Sequence, residues 1–265
     1  MVKSFMLSVL LGVMMSQTWA ADKEFPGRDV FPEVKYIELK DLYTQRKDVH
    51  IVDVRSTYEY QTLRIENAIN IPLASKTFAA DMQKLRASSD RPIVVYCNGK
   101  TCMKSYKAAR KAKNAKIDNV VAYDAGVLDW AKAYPKNTML ISKTLRDPNL
   151  LISKTEFEKH SLTPDQFGER LASTEDIVLD VRDRFQREAL SIFVGREYRV
   201  FLDDTKKLDR YIKKAKREGK GLLIYDAAGK QVRWLQYHLK EMGVTDYHFM
   251  KGGIHAYFKE MKNGN

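Results

Sequence analysis

The feature that most constrains the fold is a repeat in which short patterns recur after 127 positions. The triplet Asp-Val-Arg ends an apolar run at Asp53–Arg55 and again at Asp180–Arg182. The glycine at Gly126 and the one at Gly253 recur at the same offset, each ahead of an apolar and aromatic segment. A repeat of this length predicts two similar domains in tandem. A chain of 265 residues is long enough for two domains of about 100–130 residues each.

Within each copy, short apolar strand patterns alternate with helical patterns. In the first copy the predicted strands are His50–Arg55, Ala68–Leu73, Ile93–Tyr96 and Asn119–Tyr123, and the predicted helices include Tyr36–Leu42, Asp81–Ala87 and Ser105–Ala115. This alternation predicts an α/β fold in which each domain has a central, mostly parallel sheet flanked by helices.

The predicted domains extend over 34–136 and 163–262. The connector at 137–162 is too long for a simple turn, and it contains the sequence Leu-Ile-Ser-Lys-Thr twice. We therefore expect this connector to be partly ordered and to pack along the domains rather than to hang free.

The first 20 residues have the organisation of a cleavable signal peptide. Lys3 precedes an apolar run from Phe5 to Met15, and small residues surround a predicted cleavage site after Ala20. The run is shorter than the roughly 20 residues that span a bilayer. The sequence therefore predicts an exported protein, periplasmic or secreted, with no stable membrane insertion after the signal is removed. An uncleaved membrane anchor is the alternative.

The two cysteines of the chain, Cys97 and Cys102, lie in one loop between a predicted strand and a predicted helix. Loop amides and a helix N-terminus favour a thiolate and any anion that it meets. In an oxidising compartment such a pair tends to form a disulfide, but a bridge across five positions constrains the unfolded chain only slightly. The pair is therefore interpreted as reactive rather than structural.

The formal charge of +12 favours anionic partners. The densest basic stretch, Lys206–Lys220, also carries Leu208, Ile212 and Ala215 at helical spacing, which predicts an amphipathic helix with a solvated basic face. Export and the lack of a nucleic-acid-binding motif argue against a nucleic-acid partner.

Several motifs in this order resemble a rhodanese domain. They are Asp53-Val54-Arg55, Tyr58-Glu59-Tyr60, Ala68 to Pro72, the strand-Cys97-loop-helix, and Asp124-Ala125-Gly126 with Trp130. The second half resembles the same domain through Asp180-Val181-Arg182, Asp226 to Val232 and Gly252-Gly253. The resemblance covers almost the whole chain after the predicted signal. It implies two α/β domains with an active loop at the carboxyl ends of the strands.

The resemblance also implies a sulfurtransferase. Cys97 stands at the family's nucleophile position, where it would take sulfane sulfur from thiosulfate, polysulfide or another small anionic donor and pass it to a thiol or cyanide acceptor. The predicted anion-binding loop consists of Asn98, Gly99, Lys100, Thr101, Met103, Lys104 and Ser105.

The first loop departs from the usual pattern in its length. Cys97 is 29 positions before Gly126, whereas Asp226 is 27 before Gly253, so the first loop has two extra residues. Ser105 stands eight positions after Cys97, where the family places a Ser or Thr at six. Longer loops in related phosphatases bind larger oxyanions, but their arginine five positions after the nucleophile is Cys102 here. This argues against phosphatase chemistry.

The second loop has Asp226 at the nucleophile position, and a carboxylate cannot carry sulfane sulfur. The second domain is therefore expected to be inactive and to act as a scaffold closing one side of the Cys97 cleft. Two roles are open to Cys102: it resolves a persulfide or sulfenate on Cys97 by forming a disulfide, or it only fills the longer loop.

The five histidines show no Cys/His spacing typical of a metal site, and no glycine pattern indicates a nucleotide, so no metal or cofactor is expected. Two alternatives to the sulfurtransferase remain. One is a thiol–disulfide redox protein that uses Cys97 and Cys102, and the other is a non-catalytic persulfide carrier or interaction module.

Overall fold

The computed structural model describes residues 24–182 and 191–263, so the predicted signal peptide lies outside the described residues. In the first half the elements are α1 (Gly27–Val30), α2 (Leu39–Gln45), β1 (His50–Asp53), α3 (Thr57–Thr62), β2 (Leu63–Ile65), β3 (Ile69–Asn70), α4 (Phe78–Ser88), β4 (Ile93–Tyr96), α5 (Lys104–Asn114), β5 (Val120–Tyr123) and α6 (Gly126–Ala133). They are followed by β6 (Thr138–Leu140), β7 (Lys143–Thr144), α7 (Lys154–Glu158), β8 (Ser161–Leu162), α8 (Pro164–Ser173), β9 (Ile177–Asp180), β10 (Glu197–Arg199), α9 (Thr205–Glu218), β11 (Leu222–Tyr225), α10 (Val232–Glu241), β12 (Tyr247–Met250) and α11 (Gly253–Asn263).

The first sheet has the order β3-β1-β4-β5, and all of its strands are parallel. All four residues of β4 are buried, because helices cover both faces of the sheet. The strand predicted at Ala68–Leu73 is wrong in extent, since the paired strand is only Ile69–Asn70. Beyond Asn70 the pairing is interrupted, because Pro72 has no N–H to donate. Only Ile71 N and Leu73 N, on either side of Pro72, donate to the carbonyls of Asp53 and Val54.

The helix predicted at Tyr36–Leu42 is displaced in the structure, where it extends over Leu39–Gln45. The displacement has a tertiary cause. Tyr36 forms a parallel bridge with Ala122 at the sheet edge, and Ile37 N donates to the Ala122 carbonyl at 2.9 Å. These pairings hold the chain extended up to the residues just before the helix.

The second sheet has the order β10-β9-β11-β12-β8 and is also parallel throughout. The predicted α/β architecture, with a parallel sheet flanked by helices in each half, is confirmed. The basic stretch forms α9, in which Leu208, Ile212 and Ala215 are buried and the lysines lie on the outer face. None of the helices in the described ranges is long and apolar enough to cross a membrane.

The connector adds an antiparallel sheet that the sequence patterns did not predict. Its strand β6 pairs with β2 of the first half and with β7, and a turn at Ile141 and Ser142 with positive φ joins β6 to β7. Strand β8, at the end of the connector, pairs with β12 of the second sheet. The connector is thus bonded to both halves of the chain.

The two halves contact each other through buried side chains. The guanidinium of Arg55, in the first half, lies 5.0 Å from the ring centroid of Trp234, in the second. The connector also contacts the second half, since Ile152 N donates to the Tyr237 hydroxyl at 2.8 Å. A cleft of about 1000 Å³ separates the loops that follow β1 and β9 and is lined by both halves. The carboxyl ends of the two sheets therefore open on the same cleft.

Candidate functional site

Cys97 directly follows β4 and is completely buried. Its Sγ lies 3.9 Å from the hydroxyl oxygen of Ser105, which stands in the first turn of α5 and is also buried. A sulfur at the start of an 11-residue helix is exposed to the positive end of the helix dipole. A neighbouring hydroxyl can donate a hydrogen bond to a thiolate. Cys97 therefore lies beside a helix N-terminus and a hydroxyl donor, two groups that stabilise thiolates in proteins.

The two cysteines of the loop are joined in a disulfide, and their Cα atoms are 6.5 Å apart. The backbone turns tightly between them, because Cys102 N donates to the Gly99 carbonyl at 2.8 Å. The Sγ of Cys97 is also 3.3 Å from the Cys102 carbonyl oxygen. The loop therefore brings the two sulfurs together, and a free Cys97 thiol exists only after this bond is reduced.

A buried ion pair supports the residue next to Cys97. Arg55 is bidentate on Asp53, through Nε to Oδ1 at 2.9 Å and Nη2 to Oδ2 at 2.6 Å, and neither side chain is exposed. The third guanidinium nitrogen donates to Asn98 Oδ1 at 3.1 Å. Burial acts to lower the pKa of Arg55, but the Asp53 carboxylate outweighs it and raises that pKa above its usual value. The cation is thus permanent.

Glu59 completes this network from the first turn of α3. It accepts from Asn98 Nδ2 at 2.9 Å and forms a capping box with Ser56, and its Oε2 is 3.8 Å from Lys104 Nζ. Burial acts to raise the pKa of Glu59, but Lys104, Arg55 and the hydrogen bonds to its carboxylate together lower it. The Asn98 amide is therefore held between a fixed cation and a fixed anion.

The backbone at Gly126 and Val127 packs closely against the Cys97 loop. Val127 N donates to the Cys97 carbonyl at 2.9 Å, and Gly126 has a φ of +74°. A Cβ on Gly126 would lie 2.3 Å from Gly99 N, so a side chain at this position would collide with the loop backbone. Both the conformation and the contact require glycine here.

Lys100, a predicted anion-binding residue, contacts carboxylates away from the sulfur. Its Nζ pairs with Glu24 and lies 3.3 Å from Asp129 Oδ2. The Glu24 hydrogen bond is the largest cause of a raised pKa for Lys100. Because two carboxylates already surround this ammonium, it offers less positive charge to a bound anion than the sequence alone suggests.

In the second loop a carboxylate, Asp226, stands at the position that Cys97 has in the first. The Asp226 carboxylate accepts four backbone N–H groups, with Oδ1 bonded to Ala228 N at 2.9 Å and to Gly229 N, and Oδ2 bonded to Gln231 N at 2.6 Å and Val232 N at 3.2 Å. Gly253, at φ +60°, packs against this loop as Gly126 packs against the first. The amides that would cradle an anion in the second domain are filled by the chain's own carboxylate.

The structure brings together part of the predicted site. Cys97, Cys102 and Ser105 lie within a few ångströms of one another. The Asn98 side chain is hydrogen-bonded to Arg55, and Lys104 lines the cleft. Glu59 and Arg55 were not among the residues that the sequence pattern predicted for the site. The pattern Ser56-x-x-Glu59 predicts that Glu59 caps a helix, but it does not indicate that Glu59 also contacts Asn98.

Neither a metal site nor the smaller cavity competes with this loop. Among the described residues, no group of three or more His, Cys, Asp and Glu side chains is arranged to hold a metal ion. A cavity of about 340 Å³ opens beside His50 and Arg91, at the amino ends of the strands, whereas the Cys97 loop follows the carboxyl end of β4.

The comparisons with known proteins establish the family. The model of the rhodanese-like domain matches residues 36–133 and 163–260, which together make up well over half of the chain. The chain therefore belongs to the rhodanese-like domain family, and it carries two such domains in tandem. Membership associates the chain with sulfur transfer at the level of the family.

Individual relatives match only parts of the chain. An HTH-type transcriptional regulator of Mycobacterium tuberculosis is 41% identical over 86 residues, which are 32% of this chain and 36% of the relative. The tRNA uridine(34) hydroxylase of Salmonella newport is 28% identical over 115 residues, 42% of this chain and 31% of the relative. The chain thus spans about a third of these curated relatives. A solved thiosulfate sulfurtransferase of Pseudomonas aeruginosa is 18% identical, with 86% of this chain and 43% of that chain covered and a TM-score of 0.40.

Proposed function

We propose that this protein is a sulfurtransferase that moves sulfane sulfur from a small anionic donor through a persulfide on Cys97 to a thiol or cyanide acceptor. The observation that carries the proposal is the position of Cys97 within a tandem rhodanese-like chain: it follows a central strand, and Ser105 of the next helix is 3.9 Å from its sulfur. The donor, thiosulfate or polysulfide, is part of the proposal.

The first step begins from the reduced loop, so a thiol reductant must first cleave the Cys97–Cys102 disulfide. The Cys97 thiolate then attacks the outer sulfur of thiosulfate. The sulfur–sulfur bond of the donor breaks, sulfite leaves with the bonding electron pair, and Cys97 holds the transferred sulfur as a persulfide. Lys104, half exposed at the start of α5, is the cation that would attract the donor.

The second domain has a non-transferring role in this proposal. Asp226 offers no thiol, and its carboxylate occupies the amides of its own loop. The domain instead supplies one wall of the cleft, through residues such as Leu202 and Gln231.

Intact-mass spectrometry of the reduced protein before and after thiosulfate or polysulfide tests the proposal. The wild type and Cys102→Ser should each gain one sulfur atom, and Cys97→Ser should gain none. A loss of the two thiol hydrogens without any sulfur gain, abolished in either variant, would overturn the proposal.

That last outcome would establish a second candidate function, a thiol–disulfide redox protein. The observation that favours it is the disulfide between Cys97 and Cys102 in the structure. In this candidate a partner thiol attacks one sulfur, a mixed disulfide forms, and the other cysteine resolves it.

We also propose that the protein is exported, on the sequence pattern of residues 1–20. The mass of the protein recovered from the periplasm or the medium should correspond to a chain that begins at Ala21. Recovery of only the intact chain from the cytosol would contradict export.

A further inference from the structure

The cavity of about 340 Å³ in the first domain, called here the amino-end cavity, combines positive charge with apolar surface. It lies between the segments that lead into β1 and β4, the turn between β2 and β3, and α6. Three cations line it, and they are Arg46, Lys47 and Arg91. Apolar side chains form another part of the lining, among them Ile51, Ile65 and Trp130.

The three cations of the amino-end cavity contact neutral groups. Arg46 Nη1 donates to the Tyr43 carbonyl at 2.6 Å, and Arg91 Nη1 lies 3.5 Å from the carbonyl oxygen of Lys47. Within the part of the chain that the structure describes, none of the three forms an ion pair with a carboxylate. Their positive charges are therefore not neutralised by a direct partner.

Two other ionisable residues line the amino-end cavity. Glu66 is held by the Asn137 side chain, whose Nδ2 donates to Glu66 Oε2 at 3.1 Å. Burial, followed by the charges of Arg91 and Arg86, lowers the pKa of His50, so this ring is neutral at pH 7. The lining thus carries three positive charges and one negative charge.

The second domain has carboxylates of its own at the same end of its sheet. Arg170 Nε donates to Asp176 Oδ2 at 2.7 Å, and Arg170 Nη2 donates to Asp246 Oδ1 at 2.6 Å. Asp176 Oδ1 also accepts from Gly221 N at 3.0 Å. The cation at this end of the second domain is therefore paired with two aspartates.

The first domain lacks both of these aspartates. Strands β1, β4 and β5 pair in the same register as β9, β11 and β12. Asp176 directly precedes β9, as Val49 directly precedes β1, and Asp246 directly precedes β12, as Asn119 directly precedes β5. The first domain thus has neutral residues where the second has its internal carboxylates, and its cations remain available to an external one.

We propose that the amino-end cavity binds a small carboxylate with an apolar body, such as an aromatic or branched-chain acid. The carboxylate pairs with the three cations, and the apolar body packs against the apolar part of the lining. The planar fork of an arginine matches a carboxylate, and the volume of the cavity is typical of a small-molecule site. The site lies at the opposite end of β4 from Cys97, so the inference does not rest on sulfur transfer.

Calorimetry with three probes tests the proposal. Phenylacetate has both the charge and the ring, phenylacetamide lacks the charge, and acetate lacks the ring. Phenylacetate should bind the wild type more tightly than either of the others, by about tenfold over acetate, because its ring is buried. Arg91→Gln and Lys47→Gln should each weaken phenylacetate binding about threefold, as expected for one exposed ion pair, and leave phenylacetamide binding unchanged. The matched control is Lys213→Gln, an exposed lysine of α9 in the second domain, which should change neither.

Backbone amide resonances locate the bound probe. Phenylacetate should shift the amides of His50 and Arg91 and leave those of Cys97 and Asn98 unchanged. The inference is overturned if phenylacetate shows no saturable binding, if both glutamine variants bind it as the wild type does, or if the shifts fall in the Cys97 loop instead. Sulfur uptake by Cys97 is measured separately by intact mass, so failure of the proposed function and failure of this inference are distinguishable.

Discussion

The Cys97 loop and the Asp226 loop occupy equivalent positions in two copies of one fold, but different groups hold them in place. Below the first loop, a network of side chains through Arg55, Asn98 and Glu59 fixes the backbone next to the sulfur. In the second loop, the central carboxylate itself binds four backbone amides.

This difference shows two ways of holding one loop in the same shape. The Asp226 carboxylate accepts four backbone N–H groups, so the second loop depends on it for stability. The first loop depends on the residues around Cys97, and the Cys97 side chain itself takes no part in that network. The two loops should therefore need different residues for folding, and substitutions at those residues test this difference.

The largest expected effect follows from breaking the ion pair below the first loop. Arg55→Met leaves the Asp53 carboxylate buried without its cation and should lower the free energy of unfolding by about 3–5 kcal/mol. Urea unfolding measures it, and Arg55→Lys is the variant that keeps the charge. A loss below about 1 kcal/mol would show that the network does not hold the first loop.

A somewhat smaller effect is expected at the centre of the second loop. Asp226→Ala leaves four amides without their acceptor and should cost about 2–4 kcal/mol in urea unfolding. The matched change Cys97→Ala, measured in the reduced protein, should cost less than half as much as Asp226→Ala. Equal costs would remove the contrast between the loops.

The next effect depends on pH. The pKa of Glu59 is lowered in the folded protein, so its contribution is fully present above its unfolded pKa of about 4.3 and is lost as the pH falls through the folded pKa. Glu59→Gln should be less stable than the wild type by about 1–2 kcal/mol at pH 7, and the difference should shrink below about pH 4.

Stability curves of both proteins from neutral to acid pH measure this difference. Glu33→Gln is the matched control, because Glu33 pairs with Arg110 on the surface and its removal should have a smaller effect. A difference that stays constant down to acid pH would contradict an ionised Glu59 in the network.

The smallest effect is expected for Lys100. Its ion pairs with Glu24 and Asp129 are exposed, so Lys100→Gln should change the unfolding free energy by less than about 1 kcal/mol, and salt should reduce the change further. Unfolding at low and high ionic strength measures this effect. A larger, salt-independent loss would show that Lys100 holds the loop as firmly as Arg55 does.

Much of the fold was readable from sequence because its signals are local. The repeated Asp-Val-Arg triplets mark β1 and β9, and the apolar run before Cys97 marks β4. The antiparallel pairing of β2 with β6 was not readable, since both strands are three residues long and lie far apart in the chain.

The site was predictable only in its central residues. The sequence indicated that Asp226 cannot carry sulfur. It did not indicate that the Asp226 carboxylate fills the loop, because that depends on the directions of backbone N–H groups two to six residues further on. Nor did it indicate the partners of Lys100, since Glu24 comes from a distant segment. Such contacts are set by tertiary packing, which a local pattern does not record.

The most direct test of the contrast between the loops exchanges their central residues. After reduction and treatment with polysulfide, Cys97→Ser/Asp226→Cys is analysed by intact mass and by peptide mapping, with Cys97→Ser alone as the control and circular dichroism to verify folding. Because the amides around position 226 should favour a thiolate, the double variant is expected to gain one sulfur atom at residue 226, and the control none. A folded double variant that takes up no sulfur would contradict the claim that Asp226 is the residue that prevents sulfur uptake by the second loop.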